Sequence, residues 1–94
     1  MLKTENNQCR KRITQIKDTA VNGSLFDVFS YGQLQEVLRL GDEKGINYIL
    51  GEMIFSCDNA GFDITELLLS DPELRSFFME NAIVIYKATV SSLR

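Results

Sequence analysis

Apolar residues in this chain recur mostly at helical spacing. Leu2, Cys9, Ile13, Ile16 and Ala20 follow one another at seven, four, three and four positions, a narrow heptad-like seam interrupted by Asn6. The spacing predicts a helix from about Thr4 to Val21. Asn22-Gly23 is expected to end it, because both residues tolerate the left-handed backbone of a helix C-terminus. Ile46, Ile49, Leu50, Met53, Ile54 and Cys57 carry the strongest helical stripe in the chain. That helix is expected to start at Asp42 as N-cap, with Glu43 at the positive end of its dipole, and to stop in Asp58-Asn59-Ala60-Gly61.

Polar residues mark further helix starts. Ser30-Tyr31-Gly32-Gln33 reads as a capping box, in which the Ser30 hydroxyl accepts from one orphan amide and Gln33 reaches back to another. Phe29 and Leu34 stand at its hydrophobic-staple positions, and Leu34, Val37, Leu38 and Gly41 complete about three turns. Asp63 with Glu66 repeats the pattern, stapled by Phe62 and Leu67, and opens a short helix. Ser70 with Glu73, stapled by Leu69 and Leu74, repeats it again, with Pro72 in the first turn where its missing N–H costs little.

Two stretches read both ways. Leu25 to Phe29 suits a short strand or an apolar linker pressed onto the core. Ala82 to Val90 is rich in β-branched residues, yet Leu74, Phe77, Phe78, Ala82, Ile85 and Thr89 form a helical stripe without a breaker. The expected fold is therefore all-α: an irregular or orthogonal bundle of four main helices and one short one, forming a single domain over residues 1–94. The competing reading is α+β, with residues 25–29 paired to 83–90. The expected core comprises Leu34, Val37, Leu38, Ile46, Ile49, Leu50, Met53, Ile54, Leu67, Leu68, Leu74, Phe78 and Ile85.

Composition supports a globular chain, with 45% hydrophobic and 24% charged residues. Histidine is absent, which removes the commonest general base and nitrogen ligand for metals. Asp63 with Glu66, and Asp71 with Glu73, are close enough for paired-carboxylate chemistry, but helix capping accounts for all four. The Asp58–Glu66 stretch fails as a calcium loop, since Ala60 and Phe62 fall at ligand positions and Asp63 replaces the required glycine. No phosphate-binding glycine motif occurs; Gly41, Gly45 and Gly51 read as turn, first-turn and helix-packing residues. These readings point to a protein that is not an enzyme, with no cofactor and no metal site.

Cys9 and Cys57 form neither a redox nor a zinc motif and are expected as two free thiols in a reducing cytosol. The N-terminus lacks the apolar stretch of a secretory signal. The apolar run from Ala82 to Tyr86 is too short to span a bilayer. A cytoplasmic protein without a membrane partner is expected.

Charge is unevenly distributed. Through Ala20, five basic residues face two acidic ones; from Asp27 to Glu80, three basic residues face eleven acidic ones, a balance of −8. An acidic body can occupy the basic surface of a partner protein and speed the encounter electrostatically, as small acidic inhibitors and immunity proteins do. Asp42, Glu43, Glu52, Asp58, Asp63 and Glu66 are the candidate contacts. The expected function is a non-enzymatic protein-binding module: an inhibitor, immunity factor or adaptor.

The alternative is a DNA-binding regulator. Lys3, Arg10 and Lys17 recur every seven residues beside the apolar seam, with Lys11 and Arg12 on other faces, and that basic helix is the candidate phosphate contact. A helix-turn-helix across Gly41-Asp42 would lead into the groove with acids, which repel phosphates. The narrow seam of the first helix also suits packing on one partner, either its own core or a second copy in a homodimer.

Overall fold

A computed structural model describes residues 3–59 and 64–93. Among them are five α-helices and no strand: α1 (Lys3–Asp18), α2 (Tyr31–Leu40), α3 (Asp42–Asn59), α4 (Ile64–Ser70) and α5 (Pro72–Leu93). The fold is all-α. Residues 83–90 lie within α5, so the two-stranded alternative is not adopted. Three- and four-residue spacing, uninterrupted by any turn residue, overrides the β-branched composition there.

The first helix continues past Asp18 as a π-helical turn, Thr19–Gly23. It ends where expected but by a different route. Neither Asn22 nor Gly23 has a positive φ; instead Ser24 turns extended, at φ −137° and ψ 134°. The Ser24 hydroxyl then accepts from the Phe26 amide at 3.2 Å and starts a single 3₁₀ turn, Leu25–Asp27. Leu25 and Phe29 are buried, so this segment is the apolar linker pressed onto the core.

The capping box of α2 is complete. Gln33 N donates to Ser30 Oγ at 3.1 Å, and Ser30 N donates to Gln33 Oε1 at 2.8 Å. Phe29 and Leu34 are both buried, as the staple requires. The helix ends at Gly41, whose φ of 85° favours a residue without Cβ. The Gly41 carbonyl also accepts from the Gly45 amide at 2.7 Å, which makes Gly41 the N-cap of α3. Asp42 is therefore the first helical residue and not the cap. Its carboxylate instead accepts from the Tyr86 hydroxyl at 2.7 Å.

The expected Asp63–Glu66 box and its Phe62 staple rest on residues outside the described ones; the described part of α4 begins at Ile64. The third box is replaced. The α4 helix runs through Ser70, whose hydroxyl donates back to the Glu66 and Leu67 carbonyls at 3.0 and 3.3 Å. Asp71 caps α5, accepting the Leu74 amide at 3.1 Å, and Pro72 takes the first helical position. Proline is favoured there because its fixed φ is helical and its missing donor is one of the helix's orphans. With the cap moved by one residue, the Leu69–Leu74 staple does not form: Leu74 is fully buried while Leu69 is 76% exposed. Arg75 closes α4 from outside, donating to the Leu68 carbonyl at 2.6 Å.

One core gathers residues from every helix. Cys9, Ile13, Ile16 and Ala20 bury the seam of the first helix, which packs on α5 and α3 of its own chain. From the expected list Leu34, Val37, Ile49, Met53, Leu67, Leu74, Phe78 and Ile85 are buried. Ile46, Leu50, Ile54 and Leu68 are only half-covered at its edge, as is Leu38. Two polar residues enter the buried face of α5. Asn81 and Thr89 satisfy themselves by donating to the Phe77 and Ile85 carbonyls at 2.7 and 2.9 Å. Gly45, not Gly51, is the packing glycine. A Cβ on Gly45 would lie 2.7 Å from the Val37 carbonyl and from the Tyr86 ring, whereas one on Gly51 would meet nothing.

Candidate functional site

The acidic residues of α3 do not share one face. At 100° per residue, Asp42, Glu43, Glu52 and Asp58 distribute around the helix and along about 24 Å of its length. Asp42 rims a mainly apolar groove between α3 and α5, lined by Ile46, Ile83, Tyr86 and Val90, with Lys87 at its edge. Glu52 lies about three turns further along α3, in a cleft between α1, the 25–29 linker and α3. Glu43, Asp58 and Glu66 are exposed, and Asp63 lies outside the described residues. The local pair Glu36–Arg39 on α2 is bidentate; the guanidinium holds the Glu36 carboxyl below its usual range.

Three of the basic candidates are drawn onto the protein's own surface. Arg10 Nε donates to Asn6 Oδ1 at 2.8 Å, and its guanidinium carbon lies 5.0 Å from the centre of the Phe77 ring. Asn6 in turn donates to Asp71, the cap of α5. The residue that interrupts the apolar seam is thus a polar tie between α1 and the α4–α5 corner. Arg12, on the other flank of α1, donates to Ser56 Oγ at 3.2 Å. Lys17 pairs with its neighbour Asp18 at 2.7 Å. Lys11 is exposed, and Lys3 lies in the first turn of α1.

The cleft on the α1 side of α3 mixes charged, polar and apolar side chains. It encloses about 330 Å³ and is lined by Arg12, Gln15, Ile16 and Thr19 from α1, Asp27, Val28 and Phe29 from the linker, and Glu52, Met53, Phe55 and Ser56 from α3. Ile16, Phe29 and Met53 form a floor continuous with the core. Phe55 lines the cleft yet is 61% exposed. Around the linker that lines the cleft, Phe26 and Tyr31 stack with ring centroids 6.2 Å apart, and both are exposed. No sequence signal singled out Phe55, because an aromatic off the buried stripe is indistinguishable from a chance surface residue until its surroundings are known.

Beneath this flank lie the two cysteines, buried and not disulfide-bonded. They share a side-chain hydrogen bond, and burial, reinforced by Cys9, pushes the Cys57 thiol up to about 12. Among the described residues no three His, Cys, Asp or Glu side chains are placed to hold a metal ion, and no helix is long and apolar enough to cross a membrane. Compared with known proteins, the chain matches no family model, no curated protein and no solved structure.

Proposed function

We propose that this protein is a non-enzymatic protein-binding module, an inhibitor, immunity factor or small adaptor, that acts by occupying a partner's surface through the α1–α3 cleft. The observation that supports this reading is Phe55, a large aromatic held at the cleft and left 61% exposed. An apolar anchor over a buried floor, ringed by polar side chains, is the usual composition of an interface hot spot. Asp27 and Glu52 outnumber Arg12 among the charged residues of the cleft, which matches the acidic body and favours a partner bearing basic residues. The described seam residues of α1, Cys9, Ile13, Ile16 and Ala20, are buried in the chain's own core, so they lend no support to a homodimer.

The test is retention of partners by the tagged chain from a lysate of its native host, with and without nuclease and over a range of salt. A discrete protein that survives nuclease and is lost from Phe55→Ser and Glu52→Lys, both still folded, meets the expectation. Retention of DNA with a steep salt slope, abolished by Lys11→Glu with Lys17→Glu, would replace this reading with the DNA-binding regulator. Arg10 is unsuitable for that substitution, because its removal also breaks the tie to Asn6 and Phe77.

A further inference from the structure

We propose that Cys9 and Cys57 form a reversible cross-linking site, at which a small disulfide such as glutathione disulfide oxidises the buried dithiol to an intramolecular disulfide joining α1 to α3. Both side chains are fully buried in the same core, and they share a side-chain hydrogen bond. An independent contact fixes the same register. Arg12, three residues after Cys9, donates to Ser56, the residue before Cys57, at 3.2 Å. One turn further along, Ile16 of α1 and Met53 of α3 line the same cleft. The two helices therefore run antiparallel with the cysteines facing across their contact.

The chemistry is thiol–disulfide exchange. One cysteine thiolate attacks a sulfur of glutathione disulfide, forming a mixed disulfide and releasing one glutathione. The second cysteine thiolate attacks the protein sulfur of that mixed disulfide and releases the other. Both thiol protons end on the two glutathiones, and the oxidant is reduced by the two electrons that the protein loses. Burial keeps the Cys57 thiol protonated in the closed fold, so the first attack requires the early turns of α1 to lift. Those turns are held by the tie from Asn6 to Asp71. Once formed, the bond closes a loop of 48 positions and restricts the unfolded chain strongly.

The experiment treats the full reduced chain with glutathione disulfide at pH 8 and follows mass, thiol content after denaturation, and melting temperature. The expected product is a monomer lighter by two hydrogens, with no titratable thiol and a melting temperature raised by roughly 10 °C or more. Dithiothreitol should restore the starting values. Oxidation should be faster in mild urea and in Asn6→Ala, which frees the start of α1. Stable adducts carrying glutathione on both cysteines, intermolecular dimers, or unreacted thiols after incubation in mild urea would each overturn the proposal. Cys9→Ser and Cys57→Ser identify the partners, since either should stop at a single glutathione adduct; the wild-type product decides the question even where those variants unfold.

Discussion

On the N-terminal flank of α3, packed against α2 and α5, the backbone approaches so closely that Gly45 has no room for a methyl group, and Asp42 is tied to Tyr86. On the C-terminal flank of the same helix, facing α1, polar side chains meet across an open cleft and Phe55 stands largely in solvent. Both flanks belong to one helix and rest on one core, yet they differ in what their exposed residues do. The closed flank uses its polar groups to complete its own packing. The open flank leaves an aromatic and two acids around a buried floor, with Arg12 bonded to Ser56 across it. Surface that a fold does not need for its own packing is free to meet a partner, and the proposed reading rests on the stretch of it that lies on the α1 side.

The largest expected effect comes from below the open flank. Ile13 is fully buried in the α1 seam, and Ile13→Asp places a carboxylate there without a partner. A loss above about 4 kcal/mol is expected, and in a domain of this size that means unfolding. Circular dichroism and sedimentation separate the outcomes: a folded Ile13→Asp chain would show that α1 is not sealed to the core. Alkaline pH probes the same layer. The thiol of Cys57 is raised from 9.0 to about 12, so the folded state holds a proton that the unfolded chain releases. Its contribution is intact below about pH 9 and is lost as pH rises toward 12, at most about 1.4 kcal/mol per pH unit. Urea titrations across that range should show a steeper decline for wild type than for Cys57→Ala.

The closed flank should be sensitive to volume. Gly45→Ala drives a methyl group against the Val37 carbonyl, which backbone cannot easily yield, and should cost about 1–3 kcal/mol despite the better helix propensity of alanine. A neutral or stabilising result would mean that α3 sits further from α2 and α5, and the contrast between the flanks would weaken. Tyr86→Phe leaves the ring and removes only the hydroxyl donated to Asp42. About 0.5–1.5 kcal/mol should be lost, and Asp42→Asn, which can still accept, should lose less. The smallest effect is expected at Phe55. With most of its surface in water, Phe55→Ser should alter stability by no more than about 0.5 kcal/mol. Melting temperature and partner retention measured on the same preparation would then separate folding from recognition.

Several features were legible in the residues because their causes are local. Helical spacing predicted α1, α3 and α5 to within a few residues. The Ser30–Gln33 box was readable because all its hydrogen bonds join residues three apart. The Ser70–Glu73 box failed for a reason that is itself local: Asp71 directly precedes Pro72, and a proline prefers the first helical position, which assigns the cap to Asp71. What remained invisible joins positions far apart in the chain. Asn6 meeting Asp71, Arg12 meeting Ser56, Cys9 facing Cys57 and Gly45 receiving Tyr86 all depend on how helices cross and slide against one another. The same is true of the charges. A run of acids is countable in sequence, but whether Asp42 is occupied by Tyr86 while Glu52 opens into a cleft depends on which flank of α3 each one occupies and what packs against it. Local spacing establishes that a helix has an inner and an outer face; only the bundle decides which outer residues are covered by neighbours, because that is set by contacts summed over the whole core.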